Sequence, residues 1–340
     1  YSVKAFIDDN PKLHNTTVGG VKVFSPAALQ LLIQQYSPKK FLLALGNANN
    51  ASKAKVLKTL EPHAIEVQTI PAAADILSGK TRIENIKDVE IEDLLGRDPV
   101  KPNPQLLDAC IRNKSVMVTG AGGSIGSELC RQIIKHSPKT LVLFEQSEYG
   151  LYAIEKELQA VLTDVPEQIE LVALLGSVQN EPRLVMAMQA YEVNTVYHAA
   201  AYKHVPLVEH NIVEGVNNNV MGTWHCAEAA IKANVESFVL ISTDKAVRPT
   251  NIMGTTKRVA ELVLQGLAQR QKKTRFTMVR FGNVLGSSGS VVPLFRQQIK
   301  QGGPVTVTHP DIIRYFMTIP EAAELVIQAG SMGKVGDVFV

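Results

Sequence analysis

The segment Ser115 to Thr119 runs straight into Gly120-Ala121-Gly122-Gly123-Ser124-Ile125-Gly126, and a helical period continues from there to Ile134. This one stretch restricts the fold more than any other. The apolar run predicts a buried strand, the period predicts a helix, and the glycines fall at the turn between them. Glycine there allows a tight turn and lets the backbone approach a pyrophosphate, which then rests on the helix N-terminus. The next strand, Leu141 to Phe144, ends in Glu145, 19 residues beyond Gly126. From that position a carboxylate holds adenosine ribose hydroxyls, and its charge opposes a 2′-phosphate, so NAD is expected as cofactor rather than NADP.

Later strand ends carry further candidates. Ile169 to Leu174 ends in Gly176-Ser177-Val178, a possible lining for adenine. Val193 to Tyr197 runs into His198-Ala199-Ala200-Ala201-Tyr202-Lys203-His204, where small residues let a cofactor lie against the backbone. Lys203 and His204 could face a substrate or stand in a solvated loop. Asn217 to Thr223 opens a helix through Ala233, with Asn219 either an ordinary cap or a buried bridge. The run Phe238 to Ile241 then stops in Ser242-Thr243-Asp244-Lys245, with Met253 and Lys257 beyond it. Three different reactive groups at a strand's carboxyl end, where α/β proteins bind ligands, suggest a reaction centre. Taken alone, the same residues are also ordinary turn chemistry.

Residues 1 to 100 alternate strands and helices: Val3–Ile7, a helix opened by Ser25-Pro26, Phe41–Leu45, Ala51–Leu60 and Ile65–Ile70. That order predicts a smaller, parallel α/β domain, but without a glycine turn to hold phosphate it is expected to be catalytically silent. Prolines 99, 102 and 104 mark the expected linker, and 101–340 is the expected catalytic domain. The overall class is therefore α/β, a doubly wound parallel sheet of Rossmann type with a partial N-terminal α/β domain.

The 340 residues carry a net charge of +3 with no basic run, which argues against nucleic acid as partner. Cys110, Cys130 and Cys226 are far apart and show no metal-ligand spacing, so no metal site and a reducing compartment are expected. No apolar segment is long enough to span a bilayer, so no membrane contact is expected of this stretch.

These residues resemble the extended short-chain dehydrogenase/reductase superfamily: Thr119 to Gly126, Ala199 to Ala201, Asn219-Val-x-Gly-Thr and Lys257 all match its pattern. More narrowly, residues 115–340 are similar to the large membrane-anchored UDP-N-acetylglucosamine 4,6-dehydratases of bacterial polysaccharide, lipopolysaccharide and protein-glycan biosynthesis. Glu145-Gln146-Ser147-Glu148-Tyr149, Tyr202 to Glu209, Ser242 to Ala246, Arg280 to Gly286 and Arg314 to Thr318 carry that likeness. Where the superfamily has Tyr-x-x-x-Lys this chain has Met253-Gly-Thr-Thr-Lys257, a departure the large dehydratases share. Ser177 stands where relatives usually have an acid.

The resemblance implies a lyase that binds NAD through Gly120, Gly123, Ser124, Ile125, Gly126, Glu145, Gln146, Ser147, Ser177, Val178, Ala199, Ala200, Ala201, Asn219 and Lys257. It implies a UDP-sugar substrate held by Lys203, His204, Thr243, Asn283, Ser287 in the Gly286-Ser287-Ser288-Gly289 turn, and Arg314. Because Met253 cannot exchange a proton, Thr243 and Asp244 are expected to take the C4 hydroxyl proton. Lys245, as a free amine, is expected to remove the C5 proton, and protonated Asp244 to release the C6 hydroxyl as water. A homo-oligomer is expected, as is a full-length protein on the cytoplasmic side of the inner membrane, of which this chain is a soluble fragment. A UDP-sugar 4-epimerase and a non-catalytic NAD-binding sensor are the alternatives.

Overall fold

The computed structural model describes residues 2–46, 48–72, 77–78, 86–89, 100–163, 168–287, 291–307 and 309–340. Asn47, Pro99 of the expected linker, and Ser288 and Gly289 of the glycine-serine turn lie outside the described residues. The chain divides into two compact units, Tyr1–Asp98 and Pro99–Val340.

In the first unit, β1 (Phe6–Ile7) pairs parallel with β3 (Val21–Phe24), and β3 pairs antiparallel with β2 (Thr17–Val18). A second small sheet joins β4 (Lys40–Leu43), parallel to β5 (Glu66–Thr69), with β6 (Lys87–Asp88) antiparallel to β5. Helices α1 (Leu29–Tyr36) and α2 (Asn50–Leu60) contribute Leu29, Leu57 and Leu60 to a small core with Leu43. The expectation of a purely parallel sheet is therefore corrected. Gly19 and Gly20 both adopt positive φ and join β2 to β3 as a two-residue hairpin, which the alternating strand–helix reading passed over.

The second unit holds a seven-stranded sheet, parallel throughout: β7 (Ser115–Thr119), β8 (Thr140–Glu145), β9 (Glu170–Leu175), β10 (Thr195–His198), β11 (Ser237–Ile241), β12 (Arg275–Val279) and β15 (Asp337–Phe339). The spatial order is β15-β12-β11-β10-β7-β8-β9. The order reverses between β7 and β10, and that switch point is where such sheets open a crevice. A short parallel pair, β13 (Asn283–Val284) and β14 (Phe316–Met317), lies apart from it.

Alternation along the strands builds the two faces. Val116, Val118, Leu141, Leu143, Val239 and Ile241 enter one core. Met117, Val142, Phe144, Phe238 and Leu240 enter the other. Strands buried on both faces read as continuous apolar runs, which is why β7, β8 and β11 were visible in the sequence.

The first core is covered by α4 (Ser124–Ile134), α5 (Glu148–Leu162) and α12 (Ile319–Met332). The second is covered by α6 (Glu181–Ala190), α9 (Gly222–Lys232) and α10 (Ile252–Arg270). Caps fix where several of these helices start: the side chains of Ser147, Asn180, Asn251 and Thr318 each accept from a first-turn amide. A short helix, α3 (Pro104–Asp108), precedes β7. The helix expected from Asn217 opens as a π-helical turn at Asn217–Met221 and continues as α9; α7 (Val205–His210) and α8 (Ile212–Val216) precede it. Helix α11 is Val291–Lys300. No described helix is long and apolar enough to cross a membrane.

Candidate active site

The glycine turn sits at the switch point and its geometry demands glycine. Gly120 has φ +68°, and a Cβ there would lie 2.7 Å from the Ala200 nitrogen; one on Gly122 would lie 2.8 Å from the Gly150 backbone. A Cβ on Gly126 would run into the Gly120 carbonyl, so Gly126 is what lets α4 pack onto the turn. A cleft of about 250 Å³ opens over this turn. Gly120, Gly122 and Gly123 form its floor, and Glu145, Gln146, Ser147, Gly176, Val178 and Ala199–Ala201 form its sides. With bare backbone on the floor and the amides of α4 behind it, the cradle fits a pyrophosphate.

Glu145 is nearly buried and accepts three backbone amides: Gly122 at 3.0 Å on one oxygen, Gln146 and Ser147 at 2.9 Å on the other. It holds the glycine turn and the start of α5 together as one rim. Ser124 and Ile125 do not line the cleft and enter it only through the α4 N-terminus. Of the expected adenine contacts, Gly176 and Val178 line the cleft, whereas the Ser177 hydroxyl turns back to accept from the Gln179 amide at 3.2 Å. Asn218, buried beside the cleft, was not anticipated.

The second half of the site grows from the end of β11. The Thr243 hydroxyl donates to Asp244 Oδ1 at 2.9 Å, and Lys245 Nζ donates to the same oxygen at 3.0 Å. These three side chains therefore form one cluster, partly open to solvent. The Asp244 amide donates to the Phe281 carbonyl at 3.1 Å, which brings the Phe281-Gly282-Asn283 segment alongside. A Cβ on Gly282 would lie 3.8 Å from Asp244 Oδ2.

Helix α10 starts directly behind the cluster: a Cβ on Gly254 would overlap the Lys245 carbonyl oxygen and lie 3.1 Å from its carbon. Met253 and Lys257 follow on that helix, 4% and 5% exposed. Among the described residues no group accepts from the Lys257 ammonium. Burial pulls its pKa down to about 8, against the opposing charge of Glu261. A buried cation left without an acceptor has its hydrogen-bonding capacity free for a ligand.

Behind these groups run two hydrogen-bond systems. His198 is fully buried, 2.7 Å from the Thr119 hydroxyl at Nδ1 and 3.0 Å from the Thr223 hydroxyl at Nε2. Because Thr223 donates its own proton to the Asn219 carbonyl, Nε2 carries the imidazole proton and Nδ1 accepts from Thr119. Burial, and then the Lys257 charge, push its pKa down to about 3, so it stays neutral.

Asn219, read from the sequence as a cap or a buried bridge, is a buried bridge: it accepts from the Tyr202 amide at 2.8 Å and donates to the Tyr202 carbonyl at 2.9 Å and to Thr256 at 3.0 Å. These bonds tie the loop after β10 to α10. The second system centres on Glu261, which takes Ser242, Arg280 and Arg258 and is fully buried. Burial alone would raise its carboxyl, but the donors Arg280, Ser242 and Arg258 outweigh that and hold it below the usual range.

The expected substrate residues are less tightly placed. Lys203 and His204 are exposed in the loop after β10, and partial desolvation lowers the Lys203 ammonium. Asn283 is half-buried in β13, and Ser287 is buried with its hydroxyl 3.4 Å from the Val284 carbonyl. Arg314 is exposed.

Strand order, glycine turn, acid at the second strand end and lysine on α10 are those of an extended short-chain dehydrogenase/reductase. Residues 116–340 match the family described as "Polysaccharide biosynthesis protein", and the chain belongs to that family. It is 46% identical over 339 residues to the capsular polysaccharide biosynthesis protein CapD of Staphylococcus aureus, covering 99% of this chain and 56% of that protein. The chain thus spans little more than half of that relative's length. It is 35% identical over 230 residues to the UDP-glucose 4-epimerase of Rickettsia rickettsii, covering 67% of this chain and 66% of that protein. Among solved structures, Pen from Bacillus thuringiensis is similar at 35% identity and a TM-score of 0.62, covering 67% of this chain and 69% of that one.

Proposed function

We propose that the chain carries the catalytic portion of an NAD-dependent nucleotide-sugar 4,6-dehydratase, a lyase, with UDP-N-acetylglucosamine as substrate. The observation that carries this reading is the shared hydrogen bonding of Thr243, Asp244 and Lys245 beside a methionine. An enzyme that only oxidises and re-reduces C4 has no use for an acid and an amine at the neighbouring carbons. A dehydratase needs both. NAD rather than NADP is supported by Glu145, whose charge occupies the rim where a 2′-phosphate would sit.

Bound NAD supplies an acceptor and later a donor for one hydride. The residues manage the protons. Thr243 binds the C4 hydroxyl and passes its proton to Asp244, the carboxylate it already touches. Lys245 removes the C5 proton, and Asp244 delivers its newly gained proton to the C6 hydroxyl, which leaves as water. Lys245 then returns its proton to C5. The cycle closes with Asp244 as carboxylate and Lys245 as free amine, so the ion pair between them must lose one proton before turnover. Lys257 orients the nicotinamide ribose through its unpaired ammonium. Lys203, His204, Asn283, Ser287 and Arg314 contact the sugar and its diphosphate. The full-length protein acts as a homo-oligomer at the cytoplasmic face of a bacterial inner membrane in glycan synthesis.

The 35% identical epimerase favours a second reading, 4-epimerisation. Incubation with UDP-N-acetylglucosamine and mass analysis separates them. Loss of one water supports the dehydratase; an isobaric new sugar supports the epimerase and defeats the first reading.

A further inference from the structure

Three separated chain segments carry the reacting groups: the turn after β11, helix α10, and the stretch after β12. Each sends one residue or more to the same carboxylate. Ser242 Oγ donates to Glu261 Oε1 at 2.6 Å, from the position immediately before Thr243. Arg280 donates from Nε to Oε1 at 2.8 Å and from Nη2 to Oε2 at 2.6 Å, three residues before Asn283. Arg258 donates to Oε2 at 3.0 Å. Glu261 itself lies one helical turn beyond Lys257 and two beyond Met253, and at this spacing all three share one face of α10. Four donors on two oxygens saturate a carboxylate that is 0% exposed.

We propose that Glu261 is a positioning residue that locks the Thr243–Lys245 turn, the Met253/Lys257 face and the Asn283 segment into one register. A buried ion pair is weak grounds for stability, because desolvation offsets its attraction. What this one adds is geometry: a bidentate guanidinium and a short hydroxyl contact fix direction as well as distance. Secondary links share the load. The Ser242 amide donates to the Val279 carbonyl at 2.7 Å, and the Asp244 amide to that of Phe281.

Glu261 also acts on charge. The charged groups around Lys257 are Glu261 on its own helix, with Arg258 and Arg280 paired to that carboxylate; His198 on β10 is neutral. Removing the Glu261 charge takes away the one charge that supports the Lys257 ammonium against burial, which disfavours it.

The catalytic part of the test rests on the dehydratase reading; the binding part does not. NAD+ affinity is titrated by fluorescence between about pH 6 and 10, alongside turnover of UDP-N-acetylglucosamine. Glu261→Gln is expected to move the alkaline loss of NAD+ binding down by about one pH unit, and to lower kcat about 100-fold with KM little changed. Ser242→Ala keeps the charge and both arginines, so the binding profile stays in place while kcat falls about tenfold. An unmoved profile in Glu261→Gln together with wild-type kcat in Ser242→Ala would overturn the proposal. If Glu261→Gln does not fold, Ser242→Ala decides by kcat alone. If the wild type yields no dehydrated product, the functional reading fails, and Glu261 is judged by the binding profile.

Discussion

Gly254→Ala tests how closely the catalytic turn is held against α10. In an exposed helix interior this change would stabilise by about 1 kcal/mol, because alanine is the better helix former. Here the added Cβ would overlap the Lys245 carbonyl oxygen and sit 3.1 Å from the carbonyl carbon, both backbone atoms. Ordinary contact begins near 3.4 Å, so helix and turn must part by about 1 Å at the oxygen. Overpacking of this kind costs roughly 1–3 kcal/mol, which cancels or exceeds the helical gain. The effect on chemistry is larger, since a displacement of about 1 Å at reacting groups can cost on the order of 100-fold in rate. The expected outcome is a Tm equal to or a few degrees below wild type, with kcat down by about two orders of magnitude. A variant more stable than wild type with unchanged kcat would refute the packing of α10 on the Lys245 turn as a determinant of activity.

The remaining predictions address single groups. Glu145→Ala strips the acceptor of three amides and is expected to weaken NAD+ binding at least about tenfold in a fluorescence titration, with NADP+ gaining relative to NAD+. Lys257 binds ligand as an ammonium, so NAD+ affinity should fall as pH rises through about 8. Its effect on stability has the opposite sign. A lysine lowered from 10.5 to about 8 costs about 3 kcal/mol below pH 8, a cost that fades as pH rises towards 10.5. Lys257→Met should therefore be no less stable than wild type in denaturant at neutral pH, yet inactive. Asn219→Ala leaves the Tyr202 backbone and Thr256 without their partner and is expected to cost about 2–3 kcal/mol, measured by urea unfolding.

The parts of the fold that two-sided burial dictates were legible in the sequence. Strands β7, β8 and β11 are apolar runs because both faces are covered, and the glycine turn is legible because its close approaches exclude side chains. The hairpin at Gly19-Gly20 was legible in principle but lay under an assumed strand–helix alternation. The π-helical turn at Asn217–Met221 carried no local signal: one inserted residue in a helical period is set by what Asn219 must reach, not by propensity. Glu261 was missed because a charged residue on a long helix ordinarily faces solvent. Its partners Ser242 and Arg280 are each 19 residues away in sequence, so only the fold brings them to it. The one available clue was its spacing of four from Lys257, the same spacing that separates Lys257 from Met253.

The central claim is that Thr243, Asp244 and Lys245 divide the proton transfers of a dehydration among them. Incubating the protein with NAD+ and UDP-N-acetylglucosamine in D2O, and reading the product by mass and NMR, tests it most directly. The account predicts a product lacking one water with deuterium at C5, and no C5 exchange in Lys245→Ala. An isobaric sugar without C5 deuterium, or C5 exchange that survives Lys245→Ala, would contradict it.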